Sequence, residues 1–149
     1  MSSIDEKPIK AKENVHIELL GPDGRVKEKR DIHNLITTAG LAHVADRMSD
    51  LGEAAMSHMA VGTSDVGLAV GNIALSAEFD RNVLTSVTQV TNTIVYVGTW
   101  SAGDATGALL EAGIFNAGAA GTMLCRSIFA VINKGALDTL VITWTITFA

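Results

Sequence analysis

The chain has 149 residues, of which 48% are hydrophobic and only 5% aromatic, with a net charge of −5 and a pI near 5.2. This length fits one domain with a sizeable core, and the acidic balance argues against a basic nucleic-acid-binding surface. The single cysteine excludes an intramolecular disulfide, and no stretch reaches the roughly 18 apolar residues of a membrane span.

Charge is concentrated in the first third of the sequence. Residues 1–50 hold 17 charged side chains, whereas residues 51–149 hold only 10; an average soluble domain has roughly a quarter of its residues charged. A surface rich in Thr, Ser and Gly would explain the depletion. Burial against other subunits is the alternative, because interface centres are poor in charge, and we favour that explanation.

The N-terminal part predicts an arm followed by a hairpin. Residues 1–13 are polar, of mixed charge and without a period, so we expect either a solvated tail or an arm that reaches over a neighbouring subunit. The remainder, residues 14–149, is predicted to form one domain. It begins with an alternating strand at 15–20, a turn at 21–24 and a charged strand at 25–34. Charge on this second strand discourages unwanted edge pairing.

One short helix is predicted next, over residues 39–49. Thr37 or Thr38 can cap its start, and Gly52 suits its end. Apolar residues recur at helical spacing, which is typical of an amphipathic helix. They are Leu41, Val44, Ala45, Met48 and Leu51.

From residue 56 onward, short strands alternate with Gly-rich loops, which indicates a sandwich or barrel. The predicted strands are 56–61, 78–90, 93–100, 109–115, 122–132 and 140–148. With the hairpin they make about eight. We therefore expect an all-β fold: a jelly-roll-like antiparallel β-sandwich with one short helix and an extended N-terminal arm.

The strand at 140–148 is the most regular element of the sequence. Side chains alternate between the two faces of a strand, so one face is apolar and should press on the core. The other face carries Val141, Thr143, Thr145 and Thr147, which are β-branched and uncharged. We expect a second sheet or a partner subunit to cover this second face, and the charge-poor surroundings favour the partner.

An ion pair is predicted between two otherwise apolar strands. If residues 116–121 form a six-residue loop, Glu111 lies directly opposite Arg126. Such a cross-strand pair is worth about 0.2–1 kcal/mol when it is exposed. Glu78 and Arg81 form a second charged cluster and are candidate members of the same network.

No catalytic pattern emerges from the residue types and their spacing. The histidines lack metal-ligand spacing, and none is placed to activate Cys125 as a nucleophile. There is no nucleophile elbow or phosphate-binding loop. Glu78 with Glu111 resembles a glycosidase pair, but the nearby arginines favour a structural ion network. We therefore predict a protein that is not an enzyme and has no metal, cofactor or small-molecule substrate.

Six segments, in this order, resemble a family of small structural proteins of tailed-bacteriophage virions. They are HNLITTAG (33–40), MAVGTS (59–64), LSAEFDR (75–81), LEAGIFN (110–116), GTMLCRSIF (121–129) and the closing Thr/Ile-rich strand. The ordered set extends over nearly the whole of residues 15–149. The resemblance is greatest to capsid cement or decoration proteins, and that family offers no catalytic residues.

The resemblance implies a protein made in the host cytoplasm that binds the outside of an assembled capsid and clamps neighbouring capsomers. Its partners would be the major capsid protein and further copies of itself, as a homodimer or homotrimer, with no nucleic acid or membrane. The alternative is a tail-associated protein of a fibre, tip or baseplate. A carbohydrate-binding module or hydrolase is a third class, but it would need aromatic residues in exposed loops. The Gly-rich loops contain none.

Overall fold

The computed structural model describes residues 10–149, so residues 1–9, most of the predicted arm, lie outside the described part. Within it the chain forms ten strands and one helix, α1 (Thr38–Ser49). The strands are β1 (Ala11–Leu20), β2 (Val26–Ile32), β3 (Leu35–Ile36), β4 (His58–Gly62), β5 (Glu78–Val83), β6 (Ser86–Val90), β7 (Thr93–Trp100), β8 (Gly107–Phe115), β9 (Met123–Lys134) and β10 (Thr139–Phe148). Among these residues, α1 is too short to cross a bilayer.

The strands form two five-stranded antiparallel sheets, which confirms the all-β prediction. The first sheet has the order β2-β1-β10-β7-β6, and the second has the order β3-β9-β8-β4-β5. One hydrophobic cluster draws buried side chains from both sheets, including Trp100 and Trp144 from the first and Leu109 and Ile114 from the second. The two sheets therefore share one large core, which supplies the main hydrophobic stabilisation.

The final strand occupies the centre of the first sheet. Over its whole length β10 pairs with β1 on one side, and it pairs with β7 on the other. Its apolar face is buried as predicted, with Leu140, Ile142 and Trp144 fully inaccessible to solvent. The face that carries Val141 and the threonines is half-buried. Cover by a partner subunit stays a prediction.

Ten strands are present where the sequence predicted about eight. β1 already begins at Ala11, so residues 11–13 of the predicted arm belong to the first sheet. The strand predicted at 78–90 is interrupted at residues 84 and 85, and its halves join different sheets. Leu84 N donates to Ser57 O, just before β4 of the second sheet, and Thr85 N donates to Val97 O of β7 in the first. The chain crosses between the sheets at this point, which strand periodicity does not reveal.

The helix has the predicted position but a different orientation. Thr37 caps α1 by accepting a hydrogen bond from Gly40 N at 2.9 Å, and Asp50, rather than Gly52, ends it in a left-handed conformation (φ 54°). Gly40 and His43 face the protein, whereas Leu41 is 58% exposed and Met48 is 84% exposed. A Cβ on Gly40 would collide with the backbone of β9. The bare glycine therefore lets this side of the helix approach the sheet.

Candidate interaction surface

The central polar feature of the second sheet is a buried ion pair. Arg126 of β9 places Nη2 and Nε each 3.0 Å from Oε1 of Glu111 on β8. Both side chains are fully buried. A buried ion pair is stable only when its remaining hydrogen-bond donors and acceptors have partners. The partners of Glu111 and Arg126 therefore show which part of the chain the pair stabilises.

The predicted register between β8 and β9 is wrong by two residues. Arg126 lies opposite Gly113, and Glu111 lies opposite Ile128. One residue of the difference arises because Phe115 pairs with Met123 rather than Thr122, and the other from a shift of the ladder between Ile114 and Phe115. A shift of two keeps each side chain on its face of the sheet. Glu111 therefore meets Arg126 along a diagonal rather than directly across the ladder.

Glu111 fastens the segment between β4 and β5, residues 63–77, which we call the apolar loop. Its Oε2 accepts hydrogen bonds from Ala77 N at 2.8 Å and Ser64 N at 3.3 Å, and its Oε1 accepts one from Ser76 N at 2.8 Å. Both carboxylate oxygens thus bind backbone at the two ends of the loop. Bonds from backbone N–H groups to a carboxylate are charge-assisted and among the stronger hydrogen bonds in proteins.

Arg126 holds the middle of the apolar loop. Its Nη2 donates to Val66 O and to Ser76 Oγ, both at 3.0 Å, and its Nη1 donates to Asn72 Oδ1 at 3.1 Å. Asn72 in turn donates to Gly67 O and accepts from Ala69 N. The guanidinium and the amide together fix the course of the loop at several points along its length.

The apolar loop turns hydrophobic side chains outward. Val66 is 69% exposed, Val70 56% and Ile73 74%, and Leu68 is 38% exposed. Leu75 is the exception: it packs against Ala60, Phe115 and Met123 in a small buried cluster. Large exposed apolar patches mark surfaces that contact other macromolecules, so these four aliphatic side chains in one loop are candidates for such a contact.

Gly62, the last residue of β4, is required by this arrangement. A Cβ at this position would overlap Glu111 Oε2 and Ala77 O. The missing side chain leaves the space in which the carboxylate receives the loop backbone. A larger residue would displace either the carboxylate or the loop.

Glu78 and Arg81 form a separate pair. Arg81 Nη2 lies 2.6 Å from Glu78 Oε1, and Arg81 Nη1 donates to Ala117 O and Ala120 O, both at 2.9 Å. The guanidinium also lies 3.7 Å from the centre of the Phe115 ring. In the part of the chain that the structure describes, no hydrogen bond joins this pair to Glu111 or Arg126. The predicted four-residue network is therefore two independent pairs, each of which holds a different loop.

The remaining titratable candidates are not brought together. Among residues 10–149 no group of three His, Cys, Asp or Glu side chains has the geometry to hold a metal ion. Cys125 is buried, and burial raises the pKa of its thiol. His16 hydrogen-bonds to Glu18 and Asp31, and these bonds raise its pKa. Burial lowers the pKa of His43.

The edges of the first sheet differ in charge. β2, with the sequence VKEKRDI, is an edge strand, and its largely exposed position is the one predicted. Charges on an edge strand discourage the addition of another strand. β6, with the sequence SVTQV, is the opposite edge; it carries no charge, and all five of its residues are exposed. An uncharged exposed edge of this kind can accept a further strand by backbone pairing.

The role of the apolar loop could not be found from the sequence. The glycines of residues 62–72 indicated a loop, but nothing in the residue pattern showed that Glu111 and Arg126 bind it. The one available sign was a pair of opposite charges in two otherwise apolar strands. The sequence thus located the pair but not its loop partners.

Comparisons with known proteins identify no family for this chain. No family model, no curated protein and no solved structure matches the chain. A functional proposal therefore rests on the residues, on their geometry and on the resemblance described above.

Proposed function

We propose that this chain is a non-enzymatic structural protein of a phage virion, a cement protein that binds the outside of the capsid and stabilises it by clamping neighbouring capsomers. The observation that carries the proposal is the apolar loop, whose exposed Val66, Val70 and Ile73 are held by a buried ion pair. The major capsid protein is the proposed partner of this loop.

The fastening of the loop supports a binding role. Ordering a loop at an interface costs free energy, and a loop that is already ordered avoids that cost on association. Here Glu111 and Arg126 supply the order through bonds to both ends and the middle of the loop. Repeated copies on a symmetric shell would add avidity to each individual contact.

The same geometry argues against catalysis by the central carboxylate. Glu111 is fully buried, and both of its oxygens accept hydrogen bonds from backbone N–H groups. A general acid or base must reach its substrate, and this carboxylate has no exposed atom. The glycosidase reading of Glu78 with Glu111 therefore has no support here.

Two uncharged surfaces support self-association as a homodimer or homotrimer. One is the exposed edge β6, and the other is the half-buried threonine face of β10. Both belong to the charge-poor part of the chain. Interfaces between copies of one chain are depleted of charge at their centres.

For the architecture we propose a β-sandwich of jelly-roll type. The two antiparallel sheets around one core support the sandwich. The jelly-roll connectivity is proposed from the resemblance. In this chain β4–β5, β6–β7 and β8–β9 are consecutive strands paired within one sheet. A jelly roll is built from two Greek keys, whose strands return over longer connections.

The alternative is a protein of the phage tail. The exposed apolar loop fits a fibre, tip or baseplate contact as well as a capsid contact, because the loop chemistry is the same. Particles that lack the protein distinguish the two: loss of a cement protein lowers the temperature at which the shell breaks, whereas loss of a tail protein impairs adsorption and leaves shell stability unchanged.

The direct test is binding to particles prepared without the protein. Wild-type protein should bind the shell surface, and the variant Val66→Asp/Ile73→Asp should bind at least tenfold more weakly, since it places two charges in the contact. Leu137→Asp is the matched control, because Leu137 is 68% exposed but lies outside the apolar loop. Equal binding of all three proteins would contradict the role of the loop.

A further inference from the structure

The two sheets end in four edge strands, β2 and β6 in the first sheet and β3 and β5 in the second. An edge strand has unpaired backbone N–H and C=O groups, and proteins usually protect it with charge or keep it short. β2 consists mainly of charged residues, β5 carries Glu78, Asp80 and Arg81, and β3 has only two residues. Among the edges of the described chain, β6 is therefore the one that lacks this protection.

The outer side of β6 is open. Within the described chain β6 pairs with β7 alone, and all five of its residues are exposed. Val87 is 52% exposed and Val90 is 64% exposed. Valine and threonine favour extended strands, and SVTQV contains no proline or glycine to interrupt further pairing. The backbone groups on its outer side are consequently available to another strand.

The sequence of β6 is complementary to a second copy of itself. In an antiparallel pair with a two-fold axis at Thr88, this residue faces its own copy. Val87 then faces Gln89, and Ser86 faces Val90. Cross-strand threonine pairs are favourable, and no like charges meet between the two strands. An uncharged contact matters here, because each chain has a net charge of −5 and charged surfaces of two copies repel each other.

The surface beside β6 is apolar and would enlarge such a contact. Gln89 lies opposite Ile94, and both line a groove of about 600 Å³ between α1 and the first sheet. Leu41 and Met48 of α1 line the same groove and are 58% and 84% exposed. Side chains alternate between the two faces of a strand, so a second β6 would add its own Val87 and Gln89 to the groove side of the sheet.

The size of the contact determines its expected strength. Five paired residues extend over roughly 17 Å. Even with side chains near the groove, we expect the contact to bury less than the ~800 Å² per subunit of a standard interface. Small interfaces of this kind are weak, so we expect a dissociation constant in the micromolar range. On a symmetric shell repeated copies would add avidity to a weak contact.

We propose that β6 joins two copies of this chain, with the two β6 strands paired antiparallel about a two-fold axis at Thr88. The two first sheets then form one continuous sheet across the dimer. The inference rests on the self-association in the proposed function and specifies it as a homodimer. A trimer cannot form through this edge, because a two-fold contact occupies the edge of both copies. The capsid is not needed for the contact, so the isolated chain should form the dimer.

Charge substitutions at Thr88 test the contact. Thr88→Lys and Thr88→Glu each place two like charges opposite one another at the axis, which destabilises the pair. Sedimentation equilibrium of the wild-type protein should show monomers and dimers. Each variant alone should dimerise roughly tenfold or more weakly, and an equal mixture of the two variants should form dimers again. A wild-type protein that is monomeric up to roughly 0.5 mM or trimeric would overturn the proposal, as would a mixture that does not recover.

Leu137→Lys and Leu137→Glu are the matched controls, because Leu137 is 68% exposed and lies outside β6. Both should dimerise like the wild-type protein. Equal weakening at Leu137 and Thr88 would show that net charge rather than the edge governs association, which would overturn the proposal. Circular dichroism of dilute samples should give one melting temperature for all variants, because both positions are exposed.

Amide hydrogen exchange locates the contact in the wild-type protein. As the protein concentration rises through the dissociation constant, protection should increase within residues 86–90. An increase confined to other strands would overturn the proposal. Monomeric protein that still binds shells would also overturn it and leave the capsid proposal intact, whereas β6-linked dimers that do not bind shells would support it and contradict the capsid proposal.

Discussion

Glu111–Arg126 and Glu78–Arg81 are both Glu–Arg pairs of the second sheet, and their closest nitrogen–oxygen distances, 3.0 and 2.6 Å, differ little. Their surroundings differ greatly. In the first pair neither side chain is exposed, whereas in the second Arg81 is 7% and Glu78 is 36% exposed. The shorter pair is the one that water screens. The nitrogen–oxygen distance alone would therefore suggest that Glu78–Arg81 is the stronger interaction, although its glutamate is the one exposed to water.

The glutamates also differ in what else they bind. Glu111 accepts three backbone hydrogen bonds from the apolar loop in addition to its arginine. Glu78 binds its arginine through two nitrogens. The arginines are more alike, since each donates to loop carbonyl oxygens. The comparison shows that a pair holds its loop through its burial and its additional hydrogen bonds to loop atoms. The Glu–Arg contact itself is similar in both pairs.

The largest effect is expected from Arg126→Met. The substitution leaves the Glu111 carboxylate buried without its counter-charge, which costs about 3–5 kcal/mol. Urea unfolding followed by circular dichroism measures the loss. Amide hydrogen exchange should rise throughout residues 63–77, because the bonds to Val66, Asn72 and Ser76 are lost as well. A loss below about 1 kcal/mol would remove the distinction between the two pairs.

A smaller effect is expected from Gly62→Ala. The new methyl group would overlap Glu111 Oε2 and Ala77 O, and overpacking of this kind costs about 1–3 kcal/mol. Gly71→Ala is the matched control, because a Cβ there meets nothing within 4 Å. The control should change stability by less than about 0.5 kcal/mol. If both variants unfold at the same urea concentration, the carboxylate does not depend on the space at Gly62.

The Glu78–Arg81 pair, in which only the glutamate is appreciably exposed, should respond unequally to loss of its two partners. Arg81→Met removes the donor to Ala117 O and Ala120 O, and hydrogen bonds from a charged donor are worth about 1.5–3 kcal/mol. Glu78→Gln removes only a solvent-screened charge, worth at most about 1 kcal/mol. The same unfolding experiment compares them. Equal losses would mean that the ion pair, and not the loop contact, holds residues 116–121.

The smallest effect concerns His16, which is bonded to Glu18 and Asp31 on the first sheet. These bonds raise its folded pKa above the usual 6.5. Its contribution to stability is therefore fully present below pH 6.5 and is lost as the pH rises through the folded pKa. The difference in unfolding free energy between pH 6 and pH 8 should shrink in His16→Gln. An unchanged difference would show that this exposed cluster contributes nothing measurable.

Much of the fold follows from local pattern. The period of two in 140–148 identified β10 and both of its faces, and one of the two predicted caps, Thr37, is the residue that begins α1. Glu111 and Arg126 form the predicted ion pair although the predicted register is wrong, because a shift of two residues keeps both side chains on the same face of the sheet. Residue periodicity and capping residues predicted the structure correctly wherever it depended on one strand or turn alone.

The remainder depended on contacts between distant segments. In the apolar stripe of α1, Val44 packs against the core but Leu41 and Met48 stay exposed, because Gly40 brings another side of the helix against β9. The strand at 78–90 split because its halves hydrogen-bond to different sheets. The hydrogen bonds of residues 63–77 to Glu111 and Arg126 are made mainly by backbone atoms, which every sequence contains. No residue pattern could therefore assign them.

The central position of β10 determines when the first sheet can form during synthesis. β1 and β10 pair although they lie roughly 120 to 140 residues apart in sequence. Pairings of such high contact order form slowly, and during synthesis β1 must wait until β10 has left the ribosome. Until then β1 and β7 each present an unpaired edge, and such edges promote association between nascent chains. The strand that completes the first sheet is thus the last described strand to become available for folding.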